Sequence, residues 1–225
     1  MAAPSNRPET RVERKERTRR AILDAALTLC EDSSLVALSL RQVAKEVGIV
    51  PTAFYRHFES LQDLGLALVE ESFVSLHAVL REVRRSDPTF EQNIDTSVET
   101  LLDHVERHHA HFLFITRERL AGPPAVRAAI KREIDLAERE LATDLEWLVT
   151  SMGASPWSPD DWKALSNLFV RAMVSTVEAV LVAGGDTRAQ QEVAERTRTQ
   201  LRLVLVGALN WESRPAEPAL RASEA

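Results

Sequence analysis

The chain of 225 residues carries 28 Lys+Arg against 34 Asp+Glu, a formal net charge of −6, and 44% of its residues are apolar. The single cysteine, Cys30, excludes an internal disulfide, and the apolar runs are far shorter than a membrane span, so we expect a cytoplasmic protein without membrane contact. With only seven Gly and one Tyr, and without alternation of apolar and polar residues, the sequence predicts an all-α fold.

The negative charge is not spread evenly along the chain. Residues 1–65 carry ten Lys+Arg and nine Asp+Glu, a sum of +1, whereas residues 66–225 carry eighteen and twenty-five, a sum of −7. Seven of the basic residues fall between Arg7 and Arg20. This segment suits contact with phosphates, and an acidic remainder would help to orient the protein on a polyanion.

The N-terminal part begins with a predicted disordered arm, residues 1–13, followed by a helix from about Arg14 to Glu31. Apolar residues recur at helical spacing along this helix, at Ile22, Ala25, Ala26 and Leu29. Arg17 and Thr18 lie near its start and are candidate phosphate contacts.

The next stretch, Ser39–Phe58, reads SLRQVAKEVGIVPTAFYRHF and predicts two short helices joined by a tight turn. Ser39 and Gln42 have the spacing of a capping box, which starts the first helix. Gly48 stands where a left-handed helix end is expected, and Pro51 suits the first position of the second helix.

Two phenylalanines four residues apart, Phe54 and Phe58, would anchor the second helix inward. Its outer side then carries small or polar residues and donors that packing does not require, at Thr52, Ala53, Tyr55, Arg56 and His57. This pattern favours a helix-turn-helix whose second helix enters a major groove, although an ordinary helical hairpin has the same spacing.

The rest of the chain predicts further helices. Ser60 and Asp63 cap a fourth helix, about Leu61–Arg85, which Asp87-Pro88-Thr89 ends. Amphipathic helices follow, from Phe90 to about Val105, from about His109 to Glu118 and from about Ala125 to Thr150. A disordered tail is predicted for residues 213–225.

The last two helices, Trp162–Val182 and one that starts near Thr187, have apolar faces broader than a single buried stripe. Excess apolar area on two adjacent helices indicates two-fold pairing with a second copy of the chain, and burial in a large monomer core is the alternative. The candidate interface residues are Leu168, Met173, Val177, Val180, Leu201 and Leu205.

Three histidines, His104, His108 and His111, have a spacing that would aim them together on one unbroken helix, as a metal site needs. A helix break near His108 would separate them, so we predict no metal and no cofactor. The sequence contains no nucleophile elbow, phosphate-binding glycine loop, HExxH or paired-cysteine motif, and we expect no enzyme activity.

Charged residues follow the apolar run FLFI, at Arg117-Glu118-Arg119. They can be ordinary surface pairs, or an arginine at the mouth of an apolar pocket can hold an anionic ligand head. The candidate ligand-binding residues are Phe112, Phe114, Arg117, Arg119, Phe169, Arg171 and Glu178.

The run SLRQVAKEVGIVPTAFYRHFES, preceded by RRAILDAA at Arg19–Ala26, resembles the N-terminal domain of the TetR family of bacterial transcriptional repressors. The likeness covers about Arg14 to Val69. It implies a helix-turn-helix DNA-binding domain at residues 14–60 and a ligand-binding and dimerisation domain at residues 61–212. A protein of this kind is a homodimer that binds a palindromic operator in double-stranded DNA.

The same resemblance implies roles for residues that match the family motif. Phosphate contacts are expected from Ser39, Thr52, Tyr55 and His57. Base contacts are expected from Arg41, Gln42, Val50, Pro51 and Ala53, and Arg56 suits either role. Many members place a lysine that contacts phosphate where this chain has Leu61, so that contact is not expected here.

Three runs extend the likeness to one subgroup: ALSLRQVAKEVGIVPTAFYRHFESLQDLGLALVEES, the RER at Arg117–Arg119, and AVRAAIKREI at Ala125–Ile134. They resemble the FabR/DesT-type repressors of unsaturated fatty acid synthesis. That resemblance implies a long-chain acyl thioester, acyl-CoA or acyl carrier protein, as the effector. The alternatives are a repressor of an efflux pump that senses an apolar xenobiotic, and a protein-interaction module with no small ligand.

Overall fold

A computed structural model describes residues 10–85, 90–151 and 157–213. These residues contain helices and no strand, which confirms the predicted all-α fold. The helices are α1 Arg11–Asp32, α2 Leu40–Val47, α3 Pro51–Phe54, α4 Leu61–Arg85, α5 Phe90–Arg107, α6 His109–Ala121, α7 Pro124–Ser151, α8 Pro159–Ala183 and α9 Thr187–Leu209, with a 3-10 turn at Leu35–Ala37 between α1 and α2.

Three sequence predictions fall wholly or mainly outside the described residues. These are the disordered arm, for its residues 1–9, the break at Asp87-Pro88-Thr89, and the disordered tail beyond Ser213.

The first helix begins three residues earlier than Arg14. Thr10 is its cap: the Glu13 amide donates to the Thr10 hydroxyl at 3.2 Å, and the Thr10 amide donates to the Glu13 carboxylate at 2.7 Å. These reciprocal bonds satisfy two of the amides that a helix start leaves without partners. The threonine and glutamate spacing was readable in the sequence, and residues 10–13 therefore belong to the helix rather than to an arm.

The chain divides into two compact units. Of the described residues, 10–81 and 106–131 belong to the N-terminal unit, and those within 82–105 and 132–213 belong to the C-terminal unit. This division differs from the predicted boundary between residues 60 and 61, because α6 packs on α1 and is hydrogen-bonded to it. The functional assignment of residues 14–60 to DNA binding is a separate question and stays a prediction.

The core of the N-terminal unit brings together apolar residues that are distant in sequence. Its fully buried side chains include Ile22, Val43, Phe54, Phe58, Leu64, Leu68, Phe114 and Ile130. Gly65 on α4 lies close to two side chains of this core: a Cβ there would overlap Cδ2 of Leu35 and lie 3.0 Å from Cγ2 of Val126. The glycine therefore lets α4 approach the 3-10 turn closely.

We expect Gly65→Ala to lower the free energy of unfolding by about 1–3 kcal/mol, because the added methyl overpacks a site where Leu35 has no room to move. The better helix propensity of alanine offsets part of this loss. Urea denaturation measures the change. Leu35→Ala should lower the free energy of unfolding less in the Gly65→Ala variant than in the unchanged protein, because it removes the overlapping side chain. Equal losses of free energy in the two backgrounds would contradict the proposed overlap.

The C-terminal unit has its own core, formed by α5, α7, α8 and α9. Buried apolar residues of all four helices contribute to it, namely Ile94, Val98, Leu145, Trp162, Leu165, Phe169, Ala194, Leu201, Leu205 and Ala208. The hydroxyls of Thr176 on α8 and Thr197 on α9 lie 2.7 Å apart inside this unit, so both buried groups are satisfied. Arg202 of α9 bonds Asp95 of α5 at 2.8 Å at the unit's surface.

The predicted dimer-interface residues divide between the core of the C-terminal unit and its surface, and their role in a dimer stays a prediction. Leu201 and Leu205 are 1% exposed, and Val177 and Val180 are also buried, so these side chains are covered by their own chain. The exposed apolar residues on these helices are Leu168 (52%), Val182 (89%), Leu203 (68%) and Val206 (59%), and Met173 is half-buried. The sequence showed that the apolar faces were broad, but not which edge of each face packs inside the unit.

Among the described helices, α8 alone is long and apolar enough to cross a bilayer on length and composition. This differs from the expectation that every apolar segment is too short. Residues of α8 such as Trp162, Leu165 and Phe169 lie in the core of the C-terminal unit. The charged residues Arg171 and Glu178 interrupt the apolar sequence of this continuous helix. We therefore attribute its apolar character to core packing and to the exposed face it shares with α9.

Candidate nucleic-acid interface

The segment from Ser39 to Phe58 folds as two short helices around a tight turn. The Gln42 amide donates to the Ser39 hydroxyl at 3.2 Å and the Gln42 side chain accepts from the Ser39 amide at 2.8 Å, which confirms the predicted capping box. Gly48 ends α2 at φ 72°, in the left-handed region that favours glycine. Pro51 occupies the first turn of α3, as predicted.

The second helix is shorter than the sequence indicated. It spans Pro51–Phe54, and the chain then continues through a tight turn, with the His57 amide donating to the Phe54 carbonyl at 2.8 Å. Phe54 and Phe58 are buried, with ring centroids 5.8 Å apart, so both phenylalanines anchor the segment inward. Tyr55, Arg56 and His57 are therefore displayed by this turn rather than by the helix.

The outer side of the segment is open to solvent. Val50 is 64% exposed and Tyr55 is 61% exposed. The other exposed predicted contacts in this segment are Ser39, Arg41, Gln42, Pro51, Thr52 and Arg56. Ala53 and His57 are half-buried. The predicted phosphate-contacting and base-contacting side chains thus lie in one short segment whose buried side is held by two aromatic rings. This arrangement can present hydrogen-bond donors and a small apolar edge to a groove.

Three of the predicted DNA contacts, Ser39, Gln42 and Thr18, make hydrogen bonds within the protein. The Ser39 hydroxyl donates to the Gln42 side-chain oxygen at 2.8 Å in addition to the capping bonds. Such a network orients both side chains before any ligand arrives. Thr18 on α1 likewise donates its hydroxyl to the Arg14 carbonyl at 2.9 Å, whereas Arg17 is exposed on the same helix.

Arg19 is a residue that the sequence reasoning missed. Its guanidinium donates to the His57 carbonyl at 3.2 Å and lies 4.3 Å from the centroid of the Phe58 ring. The stacked charge and the hydrogen bond hold the end of the exposed segment against α1. Sequence could not have indicated this contact, since the two partners are 38 residues apart.

Positive charge surrounds His57. Burial lowers the pKa of the His57 imidazole, and the positive charges of Lys15, Arg19 and Arg56 lower it further against a smaller opposing effect of Glu16. Its Nδ1 is buried without a hydrogen-bond partner among the described residues. His57 is therefore neutral at pH 7, and the charge at this surface comes from the arginines and lysine.

This depressed pKa predicts a pH dependence of stability. Between the unfolded pKa, about 6.5, and the lower folded pKa, the unfolded chain binds more protons, so the free energy of unfolding falls as pH falls through that window. We expect His57→Gln to reduce this dependence between pH 7 and pH 5, measured by urea denaturation at each pH. His109→Gln, at an exposed position on α6, is the control. Identical pH profiles for His57→Gln and the unchanged protein would contradict the assignment.

The candidate ligand-binding residues divide between the two units. Phe112, Phe114, Arg117 and Arg119 lie on α6 in the N-terminal unit, and Phe169, Arg171 and Glu178 lie on α8 in the C-terminal unit. Phe112, Phe114 and Phe169 are buried, and the exposed Arg171 bonds Asn167 at 2.8 Å. Arg117 donates to carbonyls at the end of α1, so its side chain is engaged within the protein.

The histidines do not share one helix. His104 is on α5, His108 precedes α6 and His111 is on α6, because the helices break at His108. His111 instead lies 2.9 Å from the Ser72 hydroxyl of α4. Within the part of the chain that the structure describes, no group of three His, Cys, Asp or Glu residues could hold a metal ion.

Comparison with known families gives two matches along the chain. Residues 22–68 match the model described as bacterial regulatory proteins, tetR family. Residues 90–207 match the model described as the tetracyclin repressor-like C-terminal domain. The first match contains the whole of the exposed segment from Ser39 to Phe58.

Solved structures share the fold at low sequence identity. A TetR-like transcriptional regulator from Rhodococcus sp. RHA1 is 17% identical with a TM-score of 0.66, and the match covers 89% of this chain and 100% of that one. E. coli NemR in its reduced form is 17% identical with a TM-score of 0.63, over 83% and 97% of the two chains. The TetR family transcriptional regulator PfmR from Thermus thermophilus is 16% identical with a TM-score of 0.64, over 80% and 97%.

Proposed function

Since this chain belongs to the TetR family of transcriptional regulators, we propose that it is a repressor that binds a palindromic DNA operator as a homodimer. The observation that carries this proposal is the exposed segment Val50–Arg56, displayed over the buried rings of Phe54 and Phe58. A buried aromatic anchor with polar and small residues on the outside is what a groove-reading helix-turn-helix requires.

The proposed contacts fall into two kinds. Thr52, Tyr55 and Ser39 contact phosphates and set the register, while Arg41, Gln42 and the edge formed by Val50, Pro51 and Ala53 read bases. Arg56 serves either role, and the half-buried His57 contributes its main chain to the contact with Arg19. The net charge of +1 over residues 1–65, against −7 over the remainder, favours approach of the N-terminal part to DNA.

The proposed dimer uses the exposed apolar residues of α8 and α9. Leu168 and Val182 on α8 are 52% and 89% exposed, and Leu203 and Val206 on α9 are 68% and 59% exposed. A two-fold axis buries the same set on both copies. The helix-turn-helix segments of the two copies then enter successive major grooves of one operator, roughly 34–36 Å apart.

We further propose that the effector is a long-chain acyl thioester and that the regulated genes serve fatty acid or lipid metabolism. The support is the likeness of residues 37–72, 117–119 and 125–134 to the FabR/DesT-type repressors. Arg117 donates to carbonyls at the end of α1, so it is not proposed as a contact for an anionic head group. The cytoplasm, where operator DNA and acyl thioesters are both found, is the proposed location.

In vitro selection from a pool of duplexes with a randomised centre tests DNA binding by the full-length protein. The expected product is a palindrome with half-sites about one helical turn apart or a multiple of it. Failure to enrich any sequence, or enrichment of a single non-repeated site by a monomeric protein, would overturn the proposal.

Native mass spectrometry of protein purified without added ligand tests the effector separately. A co-purified acyl chain, and a change in operator affinity on adding oleoyl-CoA but not free coenzyme A, are the expected results. A co-purified aromatic compound would instead support a xenobiotic-responsive repressor of an efflux pump. An unliganded protein whose operator affinity is unaffected by oleoyl-CoA would favour a protein partner.

A further inference from the structure

The exposed residues of α8 recur at alternating intervals of four and three positions. Beyond Lys163, the exposed residues of this helix are Ala164, Leu168, Arg171, Ser175 and Val182. The half-buried Glu178 occupies the remaining position of the repeat. A stripe with this spacing runs along one side of a helix, and it is the pattern by which two helices pack along their length.

The stripe is arranged symmetrically about Ser175. Leu168 lies seven positions before Ser175, and Val182 lies seven positions after it. Arg171 lies four positions before Ser175, and Glu178 lies three positions after it. An apolar residue on one side is therefore matched by an apolar residue on the other, and a cation is matched by an anion.

This symmetry makes the stripe complementary to a second copy of itself. A two-fold axis that crosses α8 at right angles beside Ser175 brings the two copies of the helix together antiparallel. Leu168 then packs on Val182 of the partner subunit, and Arg171 meets Glu178 of the partner subunit. Because a two-fold interface uses the same surface on both copies, each of these contacts occurs twice.

Arg171 is oriented by its own chain. Its Nε donates to the Asn167 side-chain oxygen at 2.8 Å, and the Asn167 amide donates to the Glu138 carboxylate of α7 at 2.8 Å. The bond to Asn167 uses one of the five N–H groups of a guanidinium. A side chain that is already held in place loses less entropy when it binds, and the planar guanidinium suits a carboxylate partner.

Apolar residues lie around these charges. The hydroxyls of Thr176 and Thr197 lie 2.7 Å apart, which fixes the alignment of α8 with α9 and puts Leu203 and Val206 at the same end of the helix pair as Leu168. In a dimer these apolar side chains exclude water from the charged pairs, and charges interact more strongly where water is excluded. Apolar contact accepts many partners, whereas a charge that faces a like charge rejects them.

We propose that Arg171 and Glu178 select the partner of this chain, since each forms an ion pair with the other residue of a second copy. Pairing is thereby restricted to chains that carry both charges in this register. The inference rests on the proposed dimer and specifies its register and its selectivity. It assigns to the interface two residues that the sequence suggested for ligand binding.

Charge reversal in the full-length protein tests the pairing. Arg171→Glu makes carboxylates face each other at both contacts, and Glu178→Arg does the same with cations. Each variant alone should raise the dimer dissociation constant roughly 100-fold or more in analytical ultracentrifugation. The double variant restores opposite charges at both contacts and should dimerise within about tenfold of the unchanged protein.

A mixture of the two single variants gives the sharpest readout. A chain with Arg171→Glu and a chain with Glu178→Arg present opposite charges to each other at both contacts, so they should form a heterodimer although neither forms a stable homodimer. Native mass spectrometry, with one variant labelled with a heavy nitrogen isotope, identifies the dimers formed. Arg132→Glu, an exposed charge reversal on α7, is the matched control and should leave the dissociation constant unchanged.

The inference is overturned if either single reversal leaves the dissociation constant unchanged, or if the mixed variants stay monomeric or pair at random. If circular dichroism shows a reversed chain to be unfolded, a double-mutant cycle of Arg171→Gln and Glu178→Gln decides instead. Losses of dimer affinity that are less than additive support the ion pair, and additive losses overturn it. A monomeric unchanged protein would refute the proposed dimer itself, so the two failures are distinguishable.

Discussion

Leu203→Glu is expected to convert the proposed dimer into a folded monomer and to lower operator affinity by orders of magnitude. Leu203 is 68% exposed on α9, so its replacement costs the monomer little. In a two-fold interface the carboxylate is introduced on both copies, and burying each without a partner costs several kcal/mol. A monomer has a single helix-turn-helix segment, so it contacts only one of the two half-sites of the operator and loses half of the DNA contacts.

Analytical ultracentrifugation and fluorescence anisotropy with the selected operator measure the two effects. Leu120→Glu is the matched control, because Leu120 is 74% exposed but lies on α6, outside the proposed interface. That variant should remain dimeric and bind operator normally. A dimeric Leu203→Glu protein with unchanged operator affinity would show that α8 and α9 do not form the interface proposed here.

Arg41→Ala and Tyr55→Phe are expected to weaken DNA binding in different ways. An arginine that bonds a base edge in two places contributes about 1–3 kcal/mol of discrimination. Because a dimer carries two copies, Arg41→Ala should cost about 2–6 kcal/mol, roughly 30- to 10⁴-fold in operator affinity. The loss should be confined to the preferred base pair in each half-site. Tyr55→Phe removes a proposed phosphate contact and should weaken binding to all duplexes alike.

Competition binding with operators changed one base pair at a time separates these outcomes. Arg132→Ala, at an exposed position on α7 in the C-terminal unit, should leave both affinity and specificity unchanged and serves as the control. If Arg41→Ala weakened binding to every duplex equally, Arg41 would be a phosphate contact. If neither Arg41→Ala nor Tyr55→Phe changed binding, the exposed segment would not be the DNA-reading surface.

The local features of the DNA-reading segment were predictable because each depends on residues close in sequence. The capping box of Ser39 and Gln42, the left-handed Gly48 and the helix-starting Pro51 follow from the chemistry of a few neighbouring residues. The buried Phe54 and Phe58 follow from their spacing. The same reasoning overextended the second helix to Phe58, since spacing alone does not distinguish a helical turn from the tight turn at His57.

Which apolar residues of α8 and α9 are buried could not be predicted from the local sequence. The apolar periodicity of α8 and α9 predicted broad apolar faces. In the structure, Leu201 and Leu205 are buried within their own chain, whereas Leu203 and Val206 are exposed to solvent. These residues alternate within a short stretch of helix. A broad apolar stripe cannot indicate which of its edges packs inside, because that depends on the neighbouring helices.

The sequence by itself determined the all-α class, the helix-turn-helix and its caps, and through its motifs the TetR family. Only the tertiary structure decided that α6 belongs with the N-terminal unit, that Arg19 holds the turn after α3, and that Arg117 and Glu118 hold the connection before α2. The physical reason is distance along the chain. Caps and apolar periods arise from near neighbours, whereas these contacts join residues 38 to 87 positions apart that only the folded packing brings together.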